Sequence, residues 1–330
     1  MRTDDLELQE QQLLAAARGG DEHAFQALVA PRGRELHAHC YRMLGSVHDA
    51  DDAMQDVLLR AWRALARFEG RSSLRLWLHR IATNTCLNAL EGRSRRGLPV
   101  APETVAESDA EPLWLEPYPD GADPSAGLER RETLELAFVV ALQELPPRQR
   151  AALLLRDVLG FSAREAAAAL DATPTAINSA LQHARARLEA RLPERSQQEA
   201  VRSLGDARLR ALVADYTGAL ERGDVEAIIG LLTDDATWSM PPLPDVFRGH
   251  AEIEGFLRAG PLKLRWRHLP TRASGQPAVG CYTWDPQQGR FTARVLDVLT
   301  LRGDRIAGIV GFLGPEPVLR CGLPASLTAE

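Results

Sequence analysis

The sequence predicts two all-α parts, the second built on a helix-turn-helix, followed by an α+β part, and three observations carry that reading. From residue 21 to about 90, apolar side chains recur at threes and fours, the period of amphipathic helices. Residues 162–191 hold a capping box, a short Ala-rich run, a turn and a longer helix. From residue 236 onward, short strand-like runs bounded by turn residues take over.

In the first part Asp21 is the expected N-cap of a helical stretch carrying Phe25, Leu28 and Val29 and then Leu36, Cys40, Met43 and Leu44. A second helix is expected from about Asp49 to Leu65, with Ala53, Met54, Val57, Leu58, Ala61 and Leu65 as its apolar stripe and Asp52, Gln55, Asp56 and Arg60 largely on other faces. A third spans about Ser73 to Leu90, where Leu74, Trp77, Leu78 and Ile81 share their spacing with Thr85 and Asn88. Further on, the spacing predicts helices from Glu132 to Leu145, stopped by Pro146-Pro147, and from Arg148 to Leu159, stopped by Gly160. Ser162 and Glu165 form the capping box of the short helix ending at Leu170, and Asp171-Ala172-Thr173-Pro174 turns the chain into a helix from about Thr175 to Arg191. A bare helical hairpin shares that outline, and His183, Arg185 and Arg187 tilt it toward DNA. The last part reads as helices at 209–220 and 225–232, then strands at 236–240, 263–269, 278–284, 291–301 and 305–313, with Gly303-Asp304 as a hairpin turn.

Composition narrows the class. The chain has 330 residues, room for two or three domains, and a formal charge of −6 that hides strong segregation. Arg60 to Arg96 holds nine arginines against Glu69 and Glu91, interleaved with Phe68 and Trp77, a mixture suited to phosphates and bases. Gly97 to Glu129 holds eight acidic residues, no basic one and six prolines, and reads as a linker. Cys40, Cys86, Cys281 and Cys321 are far apart without metal-ligand spacing, and no dinucleotide or phosphate loop is present, so neither metal nor cofactor is expected. The acidic N-terminus lacks a signal-peptide layout and no run approaches a membrane span, so a cytoplasmic protein is expected.

The stretch Asp49-Ala-Asp-Asp-Ala-Met-Gln-Asp-Val-Leu-Leu-Arg-Ala-Trp62, then Phe68-Glu-Gly-Arg-Ser-Ser73, then Trp77-Leu-His-Arg-Ile-Ala-Thr-Asn84, closely resembles region 2 of extracytoplasmic-function sigma factors. With the helix-turn-helix behind Leu145-Pro-Pro-Arg-Gln-Arg150, the chain resembles region 2 followed by region 4, over about Ala24 to Leu192. The remainder, with Tyr216-Thr-Gly-Ala-Leu-Glu-Arg-Gly-Asp224 and Leu232-Thr-Asp-Asp-Ala-Thr-Trp238, is similar to SnoaL-like cone domains, a fold shared with ketosteroid isomerases. The resemblance implies region 2 at 1–97, a linker at 98–129, region 4 at 130–196 and a SnoaL-like regulatory domain at 197–330.

That resemblance implies a promoter-specificity subunit whose partners are bacterial core RNA polymerase and promoter DNA, with an anti-sigma factor or an intramolecular contact of its own C-terminal domain as a further partner and its activity modulated by that domain in a direction the sequence leaves open. Asp49, Asp52, Gln55, Asp56 and Arg60 would meet the polymerase. Phe68, Ser72, Ser73, Arg75, Arg80, Asn84, Asn88, Arg93, Arg95 and Arg96 would hold and melt the −10 element, amides on base edges and guanidiniums on phosphates. Trp77 reads as core rather than as a base-stacking ring. Arg164, Thr175, Asn178, Ser179, Gln182, His183, Arg185 and Arg187 would meet the −35 element; relatives carry basic residues where this chain has Asn178 and Ala180, which leaves the motif read there open.

In the last domain Tyr216 stands where ketosteroid isomerases keep a catalytic tyrosine, but Met240 occupies the general-base position, and a thioether abstracts no proton. Asp297, a lone acid on a late strand, reads as exposed. No catalytic residue is therefore expected. Tyr216, Trp238, Met240, Phe256, Trp266, Tyr282 and Trp284 are candidates to line an apolar ligand pocket, with core packing the plain alternative. Two other functions fit parts of the pattern: a stand-alone helix-turn-helix regulator sensing an apolar ligand, and a SnoaL-like isomerase or cyclase fused to a DNA-binding part.

Overall fold

The computed structural model describes residues 3–95, 115–120 and 133–328, with side chains from residue 8 to residue 92 in the first of these segments. The chain divides into two compact units, Met1–Thr104 with Ala141–Arg191 and Val105–Val140 with Leu192–Glu330.

The first unit is helical. It contains α1 (Thr3–Arg18), α2 (Glu22–Val29), α3 (Gly33–Leu44), α4 (Val47–Ala64) and α5 (Leu74–Arg95). Asp21 caps α2 by accepting from the Ala24 N–H at 3.0 Å, as its sequence position predicts. The helical stretch expected after it is interrupted, because Pro31 sits in a single 3-10 turn at Ala30–Arg32. Helix α1 has no counterpart in the sequence reading, its polar, acidic start having masked it. Leu36, Cys40, Met43, Val57, Ala61, Leu78, Ala82 and Cys86 form the core of this bundle. α3 ends at Gly45, with φ +79 and a Gln143 side chain so close that an added Cβ would come within 3.1 Å of it.

The same unit takes in the later helices. α6 (Leu136–Gln143) joins it from Ala141 on, followed by α7 (Pro147–Leu153), which continues as one π-helical turn at Leu154–Val158, α8 (Ala163–Ala169) and α9 (Pro174–Glu189). Both halves of the capping box form: the Glu165 N–H donates to Ser162 Oγ at 3.2 Å and the Ser162 N–H to Glu165 Oε2 at 2.8 Å. Thr173 caps α9 with its hydroxyl, and Ile177, Leu181, Ala184 and Leu188 are its buried stripe. Arg150, 3% exposed, ties the parts together. It donates to the carbonyls of Met43, Gln143 and Leu145, while Gln143 Nε2 donates to the Arg42 carbonyl at 3.0 Å. The C-terminal carbonyls of α3 thus find donors on α6 and α7.

The second unit is α+β. Helices α10 (Gln197–Leu204), α11 (Asp206–Arg222), α12 (Val225–Gly230) and α13 (Gly249–Ala259) accompany β1 (Leu232–Ser239), β2 (Val246–Arg248), β3 (Trp266–Ala273), β4 (Gln276–Asp285), β5 (Arg290–Arg302) and β6 (Arg305–Leu313). A short α14 (Pro315–Arg320) and β7 (Ser326–Leu327) follow. The strand order is β2-β1-β6-β5-β4-β3, with β7 on β5; β1 and β6 run parallel and the other pairs antiparallel. The core of this unit joins α11–α13 to the sheet through Tyr216, Ile228, Ile253, Leu257, Val279 and Ile309. The four long strands lie close to their expected positions. Helix α13 went unread because glycines at 249 and 255 break its run, although Ile253, Phe256 and Leu257 keep helical spacing.

Candidate functional site

Asp49, Asp52, Gln55, Asp56 and Arg60 on α4 all line one groove of about 600 Å³, with Leu59, Thr85 and Asn88 on its walls. Ser46 fixes the start of α4 by accepting from the Asp49 N–H at 3.1 Å, so the acids follow one another along the first turns. Their carboxylates reach solvent: Asp52 is 67% and Asp56 59% exposed, and the basic side chains beside them, His48 at 3.9 Å and Arg60 at 3.8 Å, are loose i,i+4 neighbours. An acidic rim beside the 53% exposed Leu59 suits a partner presenting cations around an apolar contact. Asn88, read from the sequence as a base contact, opens on this groove.

The other residues expected at the −10 element are held differently. Phe68 is 7% exposed, its ring 4.9 Å from that of Trp77 and beneath the Arg18 guanidinium. Ser73 caps α5, accepting from the Leu76 N–H at 3.2 Å. Arg75 makes a forked pair with Glu35 at 2.6–3.2 Å, donates to the Leu159 carbonyl at 3.0 Å and lies 4.7 Å over the Phe161 ring. Arg80 pairs with Asp171 at 2.8 Å. Ser72 and Asn84 are half-buried, and Arg93, Arg95 and Arg96 lie outside the described side chains. Beneath Arg75, the His79 ring is 5.5 Å from both His39 and Phe161. Burial holds both imidazoles below their ordinary value, so they sit neutral in the core.

On α9 the predicted face is open. Thr175, Asn178, Ser179, Gln182, His183, Arg185 and Arg187 are all exposed, as is Arg164 on α8. Asn178, Gln182 and Arg185 border a shallow groove of about 470 Å³ with Arg156 and Glu189. Asp157 braces Arg185 through two bonds of 2.8 and 2.7 Å and raises its pKa.

In the second unit, Tyr216 and Trp238 belong to the core, with Met240, Phe256 and Trp266 packed against it. Tyr282 and Trp284 stand apart from that cluster: the Tyr282 hydroxyl donates to the Pro324 carbonyl at 2.9 Å, and Trp284 lies under Arg265 and against Phe291. The expectation of an exposed Asp297 is overturned. It is 4% exposed and accepts from the Tyr216 hydroxyl at 2.9 Å and the Cys281 thiol at 3.4 Å, both on Oδ2. Burial pushes its carboxyl up to about 6 against the pull of those two bonds, and the Tyr216 phenol is pushed well above its usual range by burial and by the Asp297 charge. A carboxylate thus stands beside Tyr216, on β5, while the expected general-base position remains Met240.

Sequence reading also missed how tightly the described linker residues are held. Tyr118 exchanges bonds with Ser274, its carbonyl accepting from the Ser274 N–H at 2.7 Å and its N–H donating to the Ser274 hydroxyl at 2.9 Å. Asp120 accepts from the Gly275 N–H at 2.9 Å, at a two-residue hairpin turn where Ser274 and Gly275 both have positive φ. Buried Glu135 accepts from the N–H groups of Gln197 and Gln198 at 2.9 Å each, an anion on the first turn of α10. Leu136 donates to Gln276, whose own amide reaches the Leu299 carbonyl on β5. The acidic, Pro-rich composition signalled a tether, and only the run Trp114-Leu-Glu-Pro-Tyr-Pro-Asp120 hinted at docking.

Among the described residues no group of His, Cys, Asp and Glu is placed to hold a metal ion, and no helix is long and apolar enough to cross a membrane. Residues 28–96 match Sigma-70 region 2, residues 135–188 match Sigma-70 region 4, and residues 213–309 match the SnoaL-like domain. The ECF RNA polymerase sigma factor SigG of Mycobacterium tuberculosis is 42% identical over 332 residues, covering 95% of this chain and 86% of that protein. SigM of the same species is 36% identical over 177 residues, covering 54% of this chain and 81% of its own. The crystal structure of the Mycobacterium tuberculosis extracytoplasmic function sigma factor SigJ shares the fold, with a TM-score of 0.60 at 21% identity over 91% of this chain and 99% of that one. Two helical sigma regions in family order, an α+β domain behind them and identity along nearly the whole chain agree: the chain belongs to the extracytoplasmic-function RNA polymerase sigma factors.

Proposed function

We propose that α4 seats this sigma factor on core RNA polymerase, that α5 and α9 engage the −10 and −35 elements, and that the C-terminal domain sets how freely the linker moves. The observation that carries the first part is the single groove shared by Asp49, Asp52, Gln55, Asp56 and Arg60. We assign residues 1–97 and 130–196 to regions 2 and 4, 98–129 to the linker and 197–330 to the SnoaL-like domain. Glu135 and Leu136 then belong to region 4 by sequence and to the second unit by packing. An anti-sigma factor is a further partner for the same exposed α4 face.

Promoter melting needs the arginines of α5 on phosphates, while Arg75 and Arg80 are occupied by Glu35, Leu159, Phe161 and Asp171. Engagement of the promoter therefore begins with release of these contacts. The linker latch gives the C-terminal domain its lever, because Tyr118, Asp120 and Glu135 are tied to it by backbone-directed bonds. In vitro transcription with core polymerase tests both parts. Asp52→Ala with Asp56→Ala abolishes core-dependent starts; unchanged starts overturn the docking assignment and favour a stand-alone helix-turn-helix regulator. Asp120→Ala with Glu135→Ala changes transcript yield at unchanged core affinity; equal yield overturns the lever.

A further inference from the structure

Arg18, the last residue of α1, lies ahead of residues 28–96 that match Sigma-70 region 2 and outside every set of promoter contacts named above. The turn behind it is pinned to its own helix: Gly19 donates to the Ala15 and Ala16 carbonyls at 3.2 and 2.9 Å, and the Asp21 N–H returns to the Ala16 carbonyl at 3.2 Å. From this turn the guanidinium reaches across 50 residues of sequence to donate to the Phe68 carbonyl, and its carbon lies 5.8 Å from the centre of the Phe68 ring. The loop it meets is a short arch with two fixed feet. At one, Phe68 is buried against Trp77 and its N–H donates to the Leu65 carbonyl at 3.0 Å; at the other, Ser73 caps α5. Between them Glu69, Gly70 and Arg71 are exposed, and Glu69, the one acid of the arch, is paired with Arg71.

Arg18 is exposed and makes no ion pair with any described residue, and the same holds for Arg67 beside the first foot. A guanidinium carries five N–H donors in a planar fork, and no described residue other than Phe68 accepts from Arg18. A cation serving only the C-terminal dipole of α1 would do so equally well while left free in solvent. This one has given up side-chain freedom to sit on a carbonyl and a ring, so its remaining donors point at a defined place. We infer, on the assignment of Phe68 to Ser73 and of α5 to the −10 element, that Arg18 is a further promoter contact: it anchors the foot of the arch and presents its other N–H groups to a backbone phosphate of the strand whose bases the arch engages. Arginine suits this double task, because one edge of its fork bonds the carbonyl while another meets a phosphate oxygen. Glu69 does not compete for it, being held by Arg71.

The test is the salt dependence of holoenzyme binding, followed by fluorescence anisotropy, to a fork-junction DNA that is single-stranded through the −10 element, its sequence taken from a promoter that the holoenzyme selects out of a random pool. Arg18→Gln keeps a donor for the Phe68 carbonyl and removes the charge, whereas Arg18→Lys keeps the charge. The expected result is that Arg18→Gln lowers the slope of log K against log salt by about 0.7, which is about fivefold weaker binding at about 0.1 M salt, and that Arg18→Lys keeps the slope. Binding of either variant to core polymerase, or of its holoenzyme to a duplex carrying the −35 element alone, should not change. An unaltered slope and affinity in a folded Arg18→Gln chain would mean that Arg18 serves the fold alone, and would overturn the inference; so would an equal loss of slope with Arg18→Lys. If Arg18→Gln does not fold, Arg18→Met, of similar length and equally neutral, takes its place. Asn84→Ala separates this inference from the reading beneath it, since loss of a base-edge contact should weaken the fork at unchanged slope. Weakening by Asn84→Ala with none by Arg18→Gln overturns the Arg18 contact alone, and no weakening by either overturns the −10 assignment together with it.

Discussion

Helices α5 and α9 carry the two halves of the predicted promoter contact, and they hold their side chains in opposite ways. The polar face of α9 is exposed from Thr175 to Arg187, on a helix pinned by its own cap and buried stripe. Of the described arginines of α5, Arg75 lies on an acid, a carbonyl and a ring, and Arg80 pairs with Asp171 at the surface. The difference shows that one charge pattern supports two states of readiness. A cation at a solvated face is available at once, whereas one in a forked pair must give up those bonds first. On the roles proposed for them, α9 presents its polar side chains at once, whereas Arg75 and Arg80 of α5 must first leave their partners.

The most severe way to break this comparison is to remove what holds the two helical regions together. Arg150→Ala strands the Met43, Gln143 and Leu145 carbonyls in a buried site, and it should cost about 3–5 kcal/mol, read as a lower midpoint in urea unfolding of the full chain. Arg150 is protonated at neutral pH, since burial lowers its pKa only to about 10. A loss below about 1 kcal/mol would mean that the junction is held by apolar contact alone.

Next in size is the pair Arg75→Ala and Arg187→Ala. Arg187 touches no described acid, so its removal should leave the free chain's stability unchanged and reduce the salt slope of holoenzyme binding to promoter by about 1. Arg75→Ala should lower the stability of the free chain by about 1–2 kcal/mol, because half-buried Glu35 loses its forked partner. Identical behaviour of the two variants in thermal unfolding would erase the distinction between the helices.

Much of this was legible in the sequence. Periodicity located α4, α5 and α9, the capping box at Ser162 and Glu165 formed as read, and strands β3–β6 fell close to their expected places. What escaped reading depends on contacts between distant residues. Nothing local to Asp297 says that Tyr216, 81 positions away, donates to it, so a lone acid on a strand looked exposed. Glu135 looked like one more charge before a helix until Gln197 and Gln198 brought it their N–H groups. Arg75 and Arg187 look alike in sequence, and only the packing of regions 2 and 4 separates them.

Acid offers a way to sharpen the comparison without mutation. His39 and His79 lie under the α5 contacts, and burial, first among the causes, holds both below 6.5; His79 with Arg42 opposes charge on His39, and Arg75 and Arg32 oppose it on His79 against the pull of Glu35. The folded imidazoles stay neutral where the unfolded chain begins to take up protons. Stability present above pH 6.5 is therefore lost as the pH falls below it. Hydrogen exchange between about pH 7.5 and about pH 5.5, corrected for intrinsic rates, should show α5 losing protection more steeply than α9. Equal loss in both helices would place the weak point elsewhere.

The smallest expected effect is the most selective. Arg80 and Asp171 form an exposed pair, 47% and 74% accessible, worth about 0–1 kcal/mol. Asp171 has φ +49, a conformation that asparagine adopts nearly as readily as aspartate. Asp171→Asn thus removes the charge that holds Arg80 and leaves the turn before α9 intact. The unfolding midpoint should hardly move, while promoter melting by the holoenzyme, followed by permanganate reactivity of unpaired thymines, should rise by less than about fivefold. Protection of the −35 element should stay the same, because the exposed face of α9 is unaltered. A change confined to the −35 footprint would show that Asp171 acts through the turn instead of through Arg80, and the contrast between a ready helix and a sequestered one would then rest on Arg75 alone.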